Sequence, residues 1–288
     1  MVGSPVVSLL TDFGLRDPSA AICRGVVLDI MPGAQVIDIS HEVRKFAIRD
    51  GALLLWCALP YLPIGFHVGV VDPGVGTDRR PIAIRVGRGD ILIGPDNGLL
   101  LPATERLGGI VEVRELAEPA YRLPTVSTSF HGRDVFAPAA AHLARGVPFD
   151  TVGPVVEPST LVRPSWPAPR RTAAGLETVV LYRDTFGNAK FGALASDLVA
   201  AIGALAPGDP LVVTFGGGSG GPSGPGPDRA EAVTWQLTFG AVAPGEAVLY
   251  EDSYGRVCLA DNQGDAVSRL GLVDDEQAII GRRPSPER

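Results

Sequence analysis

Apolar positions in this chain follow two different rhythms, and the change between them divides it. In the first half, short apolar runs alternate with longer stretches whose apolar residues recur at helical spacing. Residues 5–10 (Pro-Val-Val-Ser-Leu-Leu) read as a buried strand, 17–31 as a helix opening near Asp17 or Ser19 and stopped by Pro32-Gly33, and 35–40 as a second strand. Further strands are expected at 66–71, 81–86 and 91–93. A buried helix is expected over 50–59, ended by Pro60, and an Ala-rich segment over 134–146, closed by Gly146 and followed by Pro148. Strands interleaved with helices predict a larger N-terminal layered α/β domain.

The second rhythm begins after a proline-dense stretch. Pro154, Pro158, Pro164, Pro167 and Pro169 block both a helix and a central strand. From about residue 175 the texture becomes short strands separated by turns, at 177–182, 210–215, 232–239, 247–250 and 256–260, which predicts a smaller C-terminal β-barrel-like domain. The expected division is 1–160 for the α/β domain, 161–174 for a Pro-rich linker and 175–288 for the barrel-like domain. The Gly/Pro/Ser run 216–227 lacks the Gly-Lys-Ser/Thr that a phosphate cradle needs, and reads as a flexible hairpin insertion.

Composition narrows the function. The chain has 288 residues, 45% of them hydrophobic, enough for substantial cores. With 25 Lys+Arg against 32 Asp+Glu and a net charge of -7, it lacks the basic excess that nucleic acid or an anionic membrane would attract, so a small-molecule substrate is expected. Cys23, Cys57 and Cys258 are far apart and without metal-ligand spacing, which points to reduced core thiols in a cytoplasmic protein. The first residues lack a basic region followed by a long apolar run, and no apolar stretch reaches spanning length; export and membrane insertion are not expected.

Polar motifs sit where the apolar runs stop. Val-Val-Asp-Pro-Gly-Val-Gly-Thr-Asp-Arg-Arg at 70–80 ends a strand at Asp72 and turns on Pro73, Gly74 and Gly76. Asp72 and Arg79 are therefore placed at the mouth of a sheet, where open α/β folds bind ligands. The plainer reading is a surface turn with a salt bridge. Leu-Leu-Thr-Asp-Phe-Gly-Leu-Arg-Asp at 9–17 puts Asp12 directly after the first strand, where a carboxylate can accept from a ribose diol; Asp17 better fits a helix-terminal acid. Phe-His-Gly-Arg-Asp at 130–134 adds an imidazole. Gly-Pro-Asp-Asn-Gly-Leu-Leu at 94–100 reads as a strand end, a turn and then a helix start, with Asp96 and Asn97 as turn and capping residues. Arg-Asp-Thr-Phe-Gly-Asn at 183–188 and Glu-Asp-Ser-Tyr-Gly-Arg-Val at 251–257 place aromatic rings beside amide and hydroxyl groups, a set suited to stacking on a purine and holding an amino acid. His41, His67 and His142 have no spaced partners, and they and Trp56, Trp166 and Trp235 read as structural.

Taken in order, these motifs closely resemble the S-adenosyl-L-methionine hydroxide adenosyltransferases, hydrolase relatives of the fluorinases and chlorinases, from about residue 6 to about residue 280. The resemblance implies a two-domain fold and a homotrimer in which S-adenosyl-L-methionine binds between the N-terminal domain of one subunit and the C-terminal domain of the next. It makes Asp72, Arg79 and His131 the hydrolytic triad, Asp12 the ribose-binding acid and Phe46 an aromatic near the ligand. Asp184, Phe186, Asn188, Ser253 and Tyr254 become the residues holding methionine and adenine. Two departures stand out, the 216–227 insertion and Asp261 before Asn262, where relatives carry an apolar or basic residue near adenine.

In S-adenosyl-L-methionine the sulfonium is already a good leaving group, so the chemistry needs only a positioned oxygen nucleophile at ribose C5′. With no metal-ligand spacing and no cofactor implied, side chains must activate water: Arg79 as a permanent cation, and Asp72 or His131 as proton acceptor, between which the sequence does not choose. The resemblance also separates hydrolysis from halogenation, because halide-using relatives replace the acid and imidazole with Tyr and small residues. A metal-dependent nucleoside hydrolase, built on Asp12 and Asp17, and a non-catalytic adenosyl-binding module are the competing readings.

Overall fold

A computed structural model of the chain describes residues 4–216 and 229–283, so 217–227 of the insertion expected from the sequence lies outside the described residues. The chain forms two compact units, Met1–Ser165 and Trp166–Arg288.

The first unit opens with β1 (Val6–Thr11), α1 (Ser19–Ile30), β2 (Gln35–Ser40), α2 (Ile48–Ala58) and β3 (Phe66–Val70). It continues through β4 (Pro81–Val86), β5 (Ile91–Pro95), α3 (Leu101–Arg106), β6 (Ile110–Glu115) and α4 (Ala137–Ala144). The six strands lie in the order β2-β1-β3-β5-β4-β6. β2, β1, β3 and β5 pair in parallel, and β4 is antiparallel to both of its neighbours.

Alternation along the central strands builds two apolar faces. Val7 and Leu9 of β1, with Val68 and Val70 of β3, pack against Cys23 and Val27 of α1 and the Ala-rich α4. On the other face, Leu10 and Gly69 meet the side of α2 around Gly51 and Leu55 and the Leu99–Leu100 pair before α3. The result is a sheet between two helical layers. The first helix starts at Ser19 and not at Asp17, because a residue before proline is pushed out of the helical region and Pro18 follows Asp17.

The second unit contains β7 (Arg170–Thr172), β8 (Gly175–Arg183), β9 (Ala189–Leu194), α5 (Ala195–Ile202), β10 (Pro210–Phe215) and β11 (Arg229–Gln236). β12 (Ala247–Glu251), β13 (Arg256–Asp261), α6 (Ala266–Leu270) and β14 (Gln277–Arg282) complete it. The order is β14-β10-β11-β12-β13-β9-β8-β7, and an additional pairing of β14 with β8 closes a 7-strand barrel with β7 left at its edge. Inward-facing Phe191, Phe215, Leu211, Val213, Leu249 and Leu259 fill it.

Six of these elements were not expected from the sequence: β6, β7, β9, α5, α6 and β14. β7 forms directly after Pro169, where backbone donors are again available for pairing with β8. Among the described residues no helix is long and apolar enough to cross a membrane. The three cysteines are buried and free, and burial pushes the Cys23 and Cys258 thiols up to about 12, which keeps both protonated.

Candidate active site

β1 lies between β2 and β3, so the chain leaves it toward one side and returns on the other. Such a reversal opens a crevice beyond the carboxyl ends of the strands. Thr11 pairs with Val70 as the last register of β1 and β3, which brings Asp12 and Asp72 to that crevice from adjacent strands. Both carboxylates, with Phe13, Phe46, Phe130 and His131, line a cavity of about 290 Å³.

After Asp72 the chain folds back on itself. Val75 N–H donates to the Asp72 carbonyl at 3.2 Å and Thr77 N–H to the Gly74 carbonyl at 3.2 Å, while Gly76 takes a φ of 78°. This turn returns Arg79 to the acid that began it. Arg79 Nε donates to both Asp72 oxygens at 3.0 Å, and Nη2 donates to Oδ2 at 2.5 Å. Nη2 also meets His131 Nδ1 at 2.8 Å. The side chains of Asp72 and Arg79 are only 5% and 10% exposed, and among the described residues the buried Arg79 Nη1 has no hydrogen-bond partner.

His131 immediately precedes a single π-helical turn, Gly132–Phe136, that leads into α4. The buried Asp134 braces this corner, accepting from Arg133 Nε at 2.6 Å and from the Ser127 backbone N–H at 2.9 Å. A guanidinium has no lone pair to offer, so His131 Nδ1 must be the acceptor and a neutral ring carries its proton on Nε2. Burial lowers the His131 pKa from its ordinary value, Arg79 lowers it further, and Asp72 partly opposes both.

Asp12 Oδ2 accepts the backbone N–H of Phe46 at 2.9 Å. That bond holds Phe46 at a φ of 64°, the residue 69% exposed beside the cavity. Beneath the same crevice, buried His41 meets Thr11 Oγ1 through Nδ1 at 2.8 Å, and Phe13 and Phe130 pack edge to face at 5.6 Å. Lys45, Phe13 and Phe130 line the cavity and were not singled out by the sequence reading. The only signal for them was adjacency to Phe46, Asp12 and His131.

In the second unit, Asp184 organises its own turn. It accepts from the N–H groups of Phe186 and Asn188 at 2.9 and 3.0 Å and from Asn188 Nδ2 at 3.0 Å, while Phe186 is 78% exposed. Ser253 and Tyr254 lie in a turn held by Asp252, which accepts the Tyr254 N–H at 2.9 Å and pairs with Lys190 Nζ at 2.6 Å. Antiparallel pairing of β9 with β13 sets these two turns toward opposite ends of one ladder. Lys190, unremarked in the sequence, reaches from one toward the other and stands 5.6 Å from the Tyr254 ring centroid. Asp261 is engaged by Arg269 at 2.7 Å, and the neighbouring Asn262 Nδ2 donates to the Val242 carbonyl at 2.7 Å.

Among the described residues no three His, Cys, Asp or Glu side chains converge as a metal-ligand set. Residues 7–153 match the SAM hydroxide adenosyltransferase N-terminal domain and residues 178–278 the corresponding C-terminal domain. The chain is 44% identical to an (R)-S-adenosyl-L-methionine hydrolase of Salinispora tropica, over 97% of this chain and 99% of that one. A fluorinase of an Actinoplanes species is more distant, 28% identical over 65% of this chain and 70% of its own. Among solved structures, an uncharacterized conserved protein of Thermotoga maritima superposes with a TM-score of 0.86 at 29% identity, covering 96% of this chain and 100% of that one. With both domains matched and near-complete coverage of the hydrolase relative, the chain belongs to the SAM hydroxide adenosyltransferase family.

Proposed function

We infer that the chain hydrolyses S-adenosyl-L-methionine to adenosine and L-methionine by in-line attack of water on ribose C5′. The observation that carries the mechanism is the hydrogen-bonded Asp72–Arg79–His131 chain, whose two outer members line the cavity beside Asp12. Arg79 is a permanent cation held between those two side chains, at the edge of the space an oxygen nucleophile would occupy. Developing negative charge on the attacking oxygen then meets a fixed cation.

The hydrogen-bond pattern also favours one proton acceptor. His131 Nδ1 is occupied by Arg79 and Nε2 already bears a proton, so the imidazole serves as a donor that orients water. Asp72 keeps lone-pair capacity beyond its bonds from Arg79 and takes the proton. The demand on this weak base is small because the sulfonium leaves readily. Positioning supplies the rest, about 7–11 kcal/mol in favourable intramolecular cases.

In the same reading Asp12 binds the ribose diol through the oxygen not given to Phe46, and Phe46 covers the ligand. Asp184, Phe186, Asn188, Ser253 and Tyr254 hold the methionine and adenine ends. The Salinispora relative is named for the R epimer at sulfur, and we extend that stereochemistry to this chain. The assembly is a homotrimer in the cytoplasm with each site shared by two subunits, which sedimentation of the purified chain tests.

The deciding experiment is incubation with S-adenosyl-L-methionine in ¹⁸O-water, with and without chloride. Adenosine carrying ¹⁸O at C5′ is expected, faster from the R epimer. A 5′-chloro product would make the chain a halogenase, and intact ligand retained without turnover would make it a binding module.

A further inference from the structure

The Pro-Asp-Asn-Gly turn at 95–98 has no part in the reaction as described, yet it grips the neighbours of both members of the central ion pair. Val71 is fully buried and lies one residue beyond the last β1–β3 register, and Asn97 Nδ2 donates to its carbonyl at 2.8 Å. That carbonyl belongs to the peptide group from which Asp72 departs, so fixing it fixes the direction in which the Asp72 side chain leaves the strand. Asn97 is itself held, its Oδ1 accepting the Leu99 N–H at 3.1 Å.

Asp96, one residue earlier, grips the other arm. Its buried carboxylate accepts from Arg80 Nε at 3.0 Å and Nη2 at 2.6 Å, and from the Val162 N–H at 2.9 Å. Its own N–H donates to the Arg80 carbonyl at 2.9 Å. Arg80 adjoins Arg79, so the end of the 72–79 turn is tied down from both backbone and side chain. The turn in turn is seated by Gly98, at a φ of 94°, where a Cβ would come within 2.8 Å of the Pro164 nitrogen.

We propose that Asn97 and Asp96 are positioning residues of the hydrolytic site, holding the backbone on either side of the Asp72–Arg79 pair so that Arg79 keeps its bonds to both Asp72 and His131. The proposal rests on the hydrolytic reading given above. Neither residue need touch substrate; each acts through the residue it anchors.

The test uses the full chain with Asn97→Ala, the near-isosteric Asn97→Asp, which loses the donor, and Asp96→Asn. Expected for folded variants is a fall in kcat of about tenfold to a hundredfold with KM nearly unchanged, the cost of slight misplacement of catalytic groups. The His131 ring, followed by ¹⁵N NMR, should titrate at higher pH than in the wild type as Arg79 Nη2 drifts from Nδ1. Wild-type kcat together with an unmoved His131 titration overturns the proposal, and so does an effect confined to KM. If Asn97→Ala fails to fold, the two near-isosteric variants decide by the same readings. If the wild-type chain releases no adenosine, the hydrolytic reading fails, while the His131 titration still reports whether the clamp positions Arg79.

Discussion

Asp12 and Phe46, 34 residues apart, are joined by a 2.9 Å hydrogen bond from the Phe46 N–H to Asp12 Oδ2, and the bonded Phe46 adopts the left-handed backbone at a φ of 64°. A non-glycine residue in that region is held there by its surroundings and tends to mark a ligand site. In the proposed reading this one carboxylate has two tasks, shaping the segment that carries Phe46 and offering its second oxygen to a ribose diol. Asp12→Ala should weaken binding of S-adenosyl-L-methionine by about tenfold to a hundredfold, the loss expected for hydrogen bonds to a charged group. Phe46→Gly, which relieves the backbone but keeps the Asp12 bond, should weaken it less. Calorimetry with an unreactive analogue measures both, and an unchanged dissociation constant for Asp12→Ala would refute the ribose assignment.

The contact between Arg79 and His131 sets a pH dependence. Burial and the guanidinium hold the His131 pKa below its ordinary 6.5, so the neutral ring persists as pH falls through that value, and turnover should decline only at lower pH. The stability that accompanies this depression is present above 6.5 and is lost as pH falls through the folded value. Arg79→Met removes both the cation and the donor to Nδ1. It should move the acid limb of the pH–rate profile upward while lowering kcat by about a hundredfold to a thousandfold, the usual effect of deleting a donor to developing negative charge. An acid limb that stays in place would mean that another group controls it.

The positions of Asp12 and Asp72 were legible because each follows an apolar run that stops at a turn, and a strand end in an α/β sheet faces the crevice. Their contacts were less so. Asn97 reaches Val71 across 26 residues and Lys190 reaches Asp252 across 62, and no local pattern marks an amide or an amine for a partner that distant. The missed strand β9, Ala-Lys-Phe-Gly-Ala-Leu, is poor in β-branched residues and is a strand because β8 and β13 pair with it on both sides. Helix α5 follows it without a connecting turn, its start fixed by Asp197 accepting the Leu194 N–H at 2.8 Å. Tertiary pairing decided these elements over local propensity.

Gly76 gives the 72–79 turn its shape for a steric reason that can be tested. At a φ of 78° its added Cβ would fall 2.3 Å from the carbonyl oxygen of Thr128, on the segment that leads to His131. The backbone there cannot yield as a side chain would, so Gly76→Ala should separate the two segments. The left-handed conformation alone adds about 1–2 kcal/mol. Both melting temperature and kcat are expected to fall. Gly25, exposed within α1 and with nothing within 4 Å of its added Cβ, is the contrasting site, where Ala should stabilise by about 0.5–1 kcal/mol and leave turnover unchanged. Equal responses at the two glycines would remove the steric argument.

Ser8, His67 and Asp90 are connected in the order familiar from hydrolases, with Ser8 Oγ 2.7 Å from His67 Nδ1 and His67 Nε2 2.9 Å from Asp90 Oδ1. Their surroundings assign them a different task. Ser8 and Asp90 are fully buried and His67 is 1% exposed, so no substrate reaches the hydroxyl, and Arg88 and the Gly65 N–H complete the shell of Asp90. Burial pushes the Asp90 carboxyl upward, but bonds from His67 and Arg88 outweigh it and hold the pKa well below the usual carboxylate range. A depressed acid contributes stability above its unfolded value of 3.8 and loses it as pH falls through the folded one. Asp90→Ala, which strands the Arg88 charge and the His67 donor, should cost about 3–5 kcal/mol in urea unfolding and flatten the acid side of the stability profile. Ser8→Ala should lose some stability and keep its rate of adenosine release. A Ser8→Ala protein of unaltered stability but abolished turnover would show that this sealed chain takes part in the chemistry after all.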